Sequence, residues 1–218
     1  MKHPFVVAAV FATLWCSPGS AEKQTYAMSL GNRQIGTLVF DWTDRNARLL
    51  SVMNNTPMGV ANGSFEAATQ VKGSAVTYLG TSRGSKTRYI SVTRQAARVT
   101  AVTVTPVHEA TKMTVPAAVP LGVVSPTEGF AVLARGKSCP GPVMMYDGRR
   151  VIQMATQTQA LDGNEVTCAM SYRVIKGPGH LSPFRFKSIG MQVVYTAQTL
   201  TRITMSAGGF DVNLVRQK

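Results

Sequence analysis

The sequence predicts a mainly-β protein in which a strongly curved antiparallel sheet, an open barrel or a spiral, wraps around one short α-helix. Val, Ile, Thr and aromatic residues alternate with polar residues along most of the chain, the period of a half-buried strand. Turn residues recur about every eight to twelve positions, and one helix-start signal lies mid-chain. A single sheet that curves around a helix buries these strands economically, and a two-sheet sandwich is the alternative.

The N-terminus has the features of a secretory signal peptide. Lys2 supplies the positive charge, Phe5 to Trp15 the apolar stretch, and Gly19-Ser20-Ala21 the small-residue cleavage site. We therefore expect residues 1–21 to be removed on export to the periplasm. Removal leaves 197 of the 218 residues, 22–218, as one β-rich domain. The apolar stretch is too short for a bilayer, which takes about 20 residues, so no transmembrane segment is predicted.

The net charge indicates the kind of partner. Loss of Lys2 with the signal peptide lowers the formal net charge from +13 to +12. In other compartments, such a positive net charge would indicate nucleic-acid binding. Because export removes the protein from most nucleic acid, we expect anionic lipid, lipopolysaccharide or an envelope protein as the partner. The alternative is that scattered Arg and Lys residues solvate an outer sheet face. Nothing in the pattern indicates the oligomeric state.

The predicted strands follow from the alternation and the turns. Gly31-Asn32-Arg33, Asp147-Gly148 and Asp162-Gly163-Asn164 contain residues that tolerate positive φ, so neighbouring strands should be antiparallel. The predicted strands are Thr25–Leu30, Ile35–Asp41, Ala47–Val52, Ser64–Lys72, Lys86–Thr93, Arg98–Val107, Val143–Tyr146, Arg150–Gln159, Glu165–Ile175, Phe184–Phe186, Met191–Ala197, Thr199–Met205 and Phe210–Arg216.

One helix is predicted after Ser125. Ser125 is a typical N-cap, Pro126 suits the first turn, and Glu128 completes a capping box. Apolar residues follow on one face, and Gly136 can end the helix. The preceding segment, residues 114–124, is interpreted as an extended apolar crossing.

The cysteines predict one disulfide. Cys16 leaves with the signal peptide, and the bulky Trp15 before it argues against lipidation. Cys139 and Cys168 then remain as a pair in an oxidising compartment. Closing a loop of about 30 residues should stabilise the fold by about 3–4 kcal/mol. A reactive thiol or half a metal site is the weaker alternative, because CxxC spacing is missing, and no metal ligands are predicted.

The motifs of several enzyme classes are missing from the sequence. It contains no P-loop and no dinucleotide-binding glycine pattern. We therefore predict no catalytic residues and no cofactor. A hydrolase that uses Asp147, His108 and His180 remains a distant alternative, since both histidines are interpreted as solvent-exposed loop residues.

The Asp147-Gly148-Arg149-Arg150 stretch is the main candidate contact site. Asp147 and Gly148 form the predicted turn. Adjacent arginines in a strand would point to opposite faces, so at most one should be buried. One guanidinium could bind an anionic headgroup or a partner in bidentate fashion. The alternative is internal pairing with an acid such as Asp147 or Glu165.

Two further features of the C-terminal half bear on a ligand. Arg173 is a third candidate for anion or partner contact, because it lies on the polar face of the strand that carries Cys168. Methionine is frequent there, and flexible thioethers either line an adaptable lipid cavity or, more often, fill a core. These residues are Met144, Met145, Met154, Met170, Met191 and Met205.

The chain resembles the exported proteobacterial domain-of-unknown-function 3108 family. The matching residues are Cys139, the Tyr146-to-Arg150 turn, Cys168 with Tyr172-Arg173-Val174, Tyr26 to Leu30, Ile35 to Leu38, and the Ser125-Pro126 helix start. Lys176-Gly177-Pro178-Gly179 departs from the family pattern, an Ala-Gly-Phe type of step. The resemblance implies a periplasmic β-rich fold similar to curved-sheet envelope proteins and lipoprotein carriers, and it implies no reaction.

From these observations we expect a non-enzymatic periplasmic protein that binds a lipid-like or protein partner and supports cell-envelope integrity. The alternative is an interaction scaffold that captures an extended segment at a sheet edge. A continuous apolar cavity open to solvent would favour lipid binding over the alternative.

Overall fold

A computed structural model describes residues 22–56, 62–180 and 185–218. The predicted signal peptide, residues 1–21, lies outside the described residues. The strands are β1 Glu22–Leu30, β2 Arg33–Trp42, β3 Asn46–Met53, β4 Gly63–Lys72, β5 Ala75–Arg83, β6 Arg88–Gln95, β7 Arg98–Thr105, β8 Val143–Tyr146, β9 Val151–Asp162, β10 Glu165–Lys176, β11 Ser188–Thr196, β12 Thr199–Ala207 and β13 Phe210–Arg216; the helix is α1, Pro126–Ala134. No helix in the described part of the chain is long and apolar enough to cross a membrane.

The strands form one antiparallel sheet that curves without closing. Its order is β7-β6-β5-β4-β3-β2-β1-β13-β12-β11-β10-β9-β8, so every neighbour in sequence is a neighbour in the sheet except β7 and β8, which are the two edges. The chain ends join the halves, since β1 pairs with β13 from Tyr26↔Arg216 to Leu30↔Val212. The inner face carries the core and encloses α1. The predicted fold class is confirmed.

The connection from β7 to β8 crosses the opening between the two edges. It contains short 3₁₀ turns at Val107–Glu109, Lys112–Thr114 and Pro116–Ala118. The prediction of an extended crossing over residues 114–124 is therefore wrong for its first half, where proline at the first position favours a tight turn. Val124 then pairs with β8: its N–H donates to the Met144 carbonyl (2.9 Å) and its carbonyl accepts from Tyr146 (2.8 Å).

The helix begins as predicted and is fixed at both ends. The Ser125 hydroxyl accepts from the Glu128 N–H, and the Glu128 carboxylate accepts from the Ser125 N–H, which completes the capping box. Ser125 also lies 2.8 Å from the Thr69 hydroxyl on β4. At the other end, the Tyr195 hydroxyl of β11 donates to the Leu133 carbonyl (3.1 Å). Both strands therefore position the helix inside the curve of the sheet.

The predicted disulfide is present. Cys139 and Cys168 are bonded, with Cα atoms 5.5 Å apart and 29 positions between them in sequence. Cys168 is fully buried on the inner face of β10, whereas Cys139 lies between α1 and β8. The bond therefore fixes the helix-to-strand connection to the inner face of the sheet.

Two strand predictions differ from the structure. The predicted Phe184–Phe186 strand lies partly outside the described residues, which exclude Phe184, and Phe186 forms an isolated bridge with His180. Strand β5 was not predicted, because its alternation is weak: Leu79 points outward and is half exposed. Gly80 provides no inward side chain, and the Tyr78 side chain fills that space, with its hydroxyl oxygen 2.7 Å from where a Cβ would lie.

A candidate ligand cavity and its basic mouth

A cavity of about 490 Å³ lies between α1 and the inner face of the sheet. Small-molecule pockets typically measure about 300–1,000 Å³ and are mostly apolar. Both halves of the sheet and the helix contribute to the wall, so the cavity exists only once the sheet has curved. Its apolar lining includes Leu38, Leu49, Phe130, Ile152, Ile203 and Leu214.

Methionines form a flexible part of this wall. Of the six in the C-terminal half, Met145, Met154, Met191 and Met205 line the cavity, whereas Met144 and Met170 do not. A thioether side chain has three rotatable bonds and adapts to irregular shapes. The wall can therefore adjust to apolar ligands of different shape.

The cavity borders a basic vestibule of about 880 Å³. The two share Phe65, Ser82, Arg88, Arg149 and Arg150, which places three arginines at their junction. The vestibule wall also carries four exposed cationic residues, Arg83, Lys86, Arg185 and Lys187. A ligand thus meets positive charge first and apolar surface further in.

The arginine turn brings both of its guanidinium groups inside. Strand β9 begins at Val151, so Arg149 and Arg150 belong to the turn and strand alternation does not apply to them. Their side chains are 13% and 8% exposed. Arg150 is buried and Arg149 is partly buried, which agrees with the prediction that at most one is buried, although both side chains line the cavity. Gly148 adopts φ +90°, and the Asp147 carboxylate accepts from the N–H groups of Arg149 and Arg150, each at 2.9 Å.

Each arginine of this turn has a carboxylate partner. Arg150 Nε lies 2.9 Å from Asp147 Oδ2, and its Nη1 donates to the Gly179 carbonyl (3.0 Å). Arg149 pairs at 2.8 Å with Glu109. Glu165, the other acid considered, lies at the start of β10 opposite Asp162.

Glu109 receives a second arginine from the sheet. Arg88 Nη2 and Arg149 Nη2 both lie 2.8 Å from Glu109 Oε2. Burial alone would raise the pKa of Glu109, but the two guanidinium groups outweigh it and hold that pKa below its usual value. The carboxylate is therefore ionised at neutral pH and brings Arg88 and Arg149 together.

Arg173 is not part of this cluster. On β10 its neighbour Tyr172 lines the cavity, so Arg173 projects from the outer face, where it is exposed between Gln153 and Ser188. Its assignment as a partner contact stays a prediction.

His180 lies at the cavity wall. The interpretation of both histidines as solvent-exposed loop residues holds for His108 but is wrong for His180, which is partly buried and lines the cavity. The Tyr172 hydroxyl lies 3.1 Å from His180 Nε2. Burial, and then the positive charge of Arg150, lower the pKa of His180 to about 3. The imidazole is therefore neutral at physiological pH.

This shift predicts a pH dependence of stability. Unfolded His180 would gain a proton below its usual pKa of 6.5, whereas the folded protein excludes that proton until about pH 3. The free energy of unfolding should therefore fall as the pH falls from 6.5 to 5, by up to about 1.4 kcal/mol per pH unit. Urea unfolding across this range measures the slope. His180→Gln should flatten it and His108→Gln should not; equal slopes in both variants would contradict the assignment.

Sequence reasoning missed Arg88, Glu109 and Gly177 as site residues. Arg88 lies in a predicted strand two positions before Ile90, and residues two apart in a strand share a face. This spacing could have indicated that Arg88 faces the interior together with Ile90. Glu109 offered no such signal because it lies in an irregular connection. Gly177 has φ +91°, and a Cβ there would lie 2.5 Å from the Arg149 carbonyl oxygen. The loop that contains Gly177 thus packs directly against the arginine turn.

Among the described residues, no group of three or more His, Cys, Asp and Glu side chains could hold a metal ion. Comparison with protein-family models finds no match, and comparison with curated proteins finds none either. Among solved structures, the chain is similar to a β-barrel-like protein of the domain of unknown function DUF1849 from Brucella abortus. The two share 12% identity with a TM-score of 0.49, over 90% of this chain and 95% of that chain. The resemblance to the domain-of-unknown-function 3108 family stays a prediction.

Proposed function

We propose that the mature chain is an exported, non-enzymatic protein of the cell envelope that binds a lipid-like molecule in the cavity beneath α1 and so supports envelope integrity. The observation that carries the proposal is an apolar cavity of about 490 Å³ with a cluster of arginines at its mouth. Such a combination suits an amphiphile, since the chain is removed from water while the polar end stays near charge.

The apolar wall is sufficient for useful affinity. Each methylene of a ligand contributes about 0.8 kcal/mol to the binding free energy when it is buried. A chain of about twelve methylenes therefore contributes about 10 kcal/mol, before the cost of immobilising the ligand is subtracted. Part of that gain is lost on association, and a dissociation constant in the micromolar range or weaker is expected.

Export is supported by two independent features of the chain. Residues 1–21 carry the signal-peptide pattern, and the Cys139–Cys168 bond suits an oxidising compartment such as the periplasm. The edge-capture alternative has less support, because Val124 already pairs with part of the β8 edge. The family resemblance remains part of the proposal.

The proposal is tested with a neutral apolar fluorophore, N-phenyl-1-naphthylamine. Saturable binding to the mature protein is expected, with a dissociation constant of about micromolar order. Met191→Trp should weaken it about tenfold or more, because Met191 lines the cavity and the larger ring would occupy ligand space. Gln192→Trp, on the exposed outer face of the same strand, should bind like the wild type.

Thermal unfolding of both Trp variants shows whether the fold is retained. The proposal is wrong if the wild type shows no saturable binding, or if the two Trp variants, both folded, bind equally well. An acyl ligand that copurifies with the protein and is identified by mass spectrometry would support it independently.

A further inference from the structure

The junction between cavity and vestibule has a defined charge. Arg88, Arg149 and Arg150 supply three positive charges, and Glu109 and Asp147 supply two negative ones. Together these five side chains retain one net positive charge. All three arginines are at most one-quarter exposed, so water screens this charge less than it screens the exposed rim of the vestibule.

The carboxylates do not use all the donors of the arginines. Arg88 Nε is buried and has no hydrogen-bond partner in the described part of the chain. Arg150 Nε is within ion-pair distance of Asp147, but its N–H does not point at the carboxylate, and it too forms no directed hydrogen bond. An unsatisfied buried donor is unfavourable. An acceptor arriving from the cavity that reorients these guanidinium groups would therefore be stabilised by them.

The neighbouring side chains on the cavity side of the cluster add no further charge. His180 is neutral at physiological pH because burial and Arg150 depress its pKa, and burial raises the pKa of Tyr172, so its hydroxyl stays protonated. On the vestibule side, Arg83, Lys86, Arg185 and Lys187 are exposed, so water and salt screen their charge more than that of the cluster. Inside the cavity, the excess of one positive charge therefore comes from the arginine cluster.

The size of the cavity limits the chain. At about 30 Å³ per heavy atom, the share of one water molecule in the liquid, about 490 Å³ accommodates on the order of 16 heavy atoms. This number is close to one acyl chain of medium length with its headgroup. A ligand with two such chains would require space outside the cavity.

We infer that the ligand is a single-chain amphiphile with a monoanionic carboxylate head, held by Arg88, Arg149 and Arg150 while its chain occupies the cavity. This inference rests on the proposed function. A carboxylate suits the bidentate geometry of guanidinium, and its single charge balances the cluster. A phosphate monoester carries about −1.5 to −2 charges at pH 7 and would leave negative charge in excess.

The test measures displacement of N-phenyl-1-naphthylamine by three ligands with the same chain, at concentrations below micelle formation. Tetradecanoate should displace the probe at a concentration about tenfold lower than tetradecanol, because only the acid forms charge-assisted hydrogen bonds. Tetradecyl phosphate should be weaker than tetradecanoate.

Arg88→Met removes one positive charge from the cluster and leaves Glu109 paired with Arg149. It should reduce the preference for acid over alcohol to about threefold or less. Arg202→Met removes the same charge from the exposed outer face and should keep the preference of the wild type. This comparison separates the cluster from the general attraction of a basic protein for anions.

The outcomes distinguish the two proposals. If acid and alcohol displace the probe equally well, or if the phosphate binds most tightly, the carboxylate inference is overturned while the cavity remains a binding site. If neither the probe nor any of the three ligands binds, the proposed function itself is contradicted. The wild-type series decides the headgroup class by itself, so instability of Arg88→Met would leave the inference testable.

Discussion

Asp147→Ala is expected to lower the free energy of unfolding by about 3–5 kcal/mol, the usual cost of removing one partner from a buried ion pair. The Arg150 side chain, 8% exposed, would lose its counter-ion 2.9 Å away. The substitution also removes the acceptor of two backbone hydrogen bonds in the turn, from the N–H groups of Arg149 and Arg150. The ion pair and the two hydrogen bonds stabilise the same few residues. We therefore expect Asp147→Ala to lower the free energy of unfolding more than any other single substitution considered. Urea unfolding at neutral pH measures it.

Two controls separate the charge from the turn. Asp162→Ala changes an exposed aspartate in the β9–β10 hairpin and should cost less than about 0.5 kcal/mol. The double variant Asp147→Ala/Arg150→Met removes both charges and should regain part of the loss, because no unpaired charge stays buried. A cost below about 1 kcal/mol for Asp147→Ala would show that Arg150 is compensated in another way.

Reduction of the Cys139–Cys168 bond is expected to lower the free energy of unfolding by about 3–4 kcal/mol. The bond closes a loop across 29 positions, and the gain comes from restricting the unfolded chain over that length. Urea unfolding with and without reductant measures the effect in one unchanged sequence. The double variant Cys139→Ala/Cys168→Ala should be equally destabilised and no longer respond to reductant.

Thiol alkylation checks the state of the two sulfurs. In protein purified without reductant, both should react with the reagent only after reduction. Labelling of both without reductant, or an unfolding midpoint that reductant leaves unchanged, would contradict the disulfide and the stabilisation assigned to it. Because the bond fixes the connection between α1 and β8, reduction should also weaken binding of the neutral probe.

Much of the fold could be predicted from local patterns. Strands such as Val143–Tyr146 and Phe210–Arg216 agree with the prediction at both ends, since turn residues bound them closely. The capping box predicted the start of the helix because its hydrogen bonds join residues three apart. Strand β5 was missed because its inward positions include a glycine, where a neighbouring tyrosine fills the space.

The site could be predicted only in part. Arg149 and Arg150 were recognised as candidates, but it was not expected that both would line the cavity, because a turn rather than a strand carries them. Glu109, the partner of Arg149, is 40 positions away along the chain, in a segment with no periodic pattern. Arg173 lies on the polar, solvent-facing side of its strand, as the alternation predicted, and is separate from this cluster.

The sequence by itself determined the elements: alternating strands, one capped helix, a cysteine pair and a basic composition, all of them properties of neighbouring residues or of the whole chain. The tertiary structure alone decided that these elements enclose a cavity, and that Arg88, Arg149 and Arg150 meet at its mouth. The physical reason is that both results depend on how far the sheet curves. That curvature is set by the pairing of β1 with β13 and by the packing of α1 against both halves of the sheet, contacts between residues too far apart in sequence to leave a local pattern.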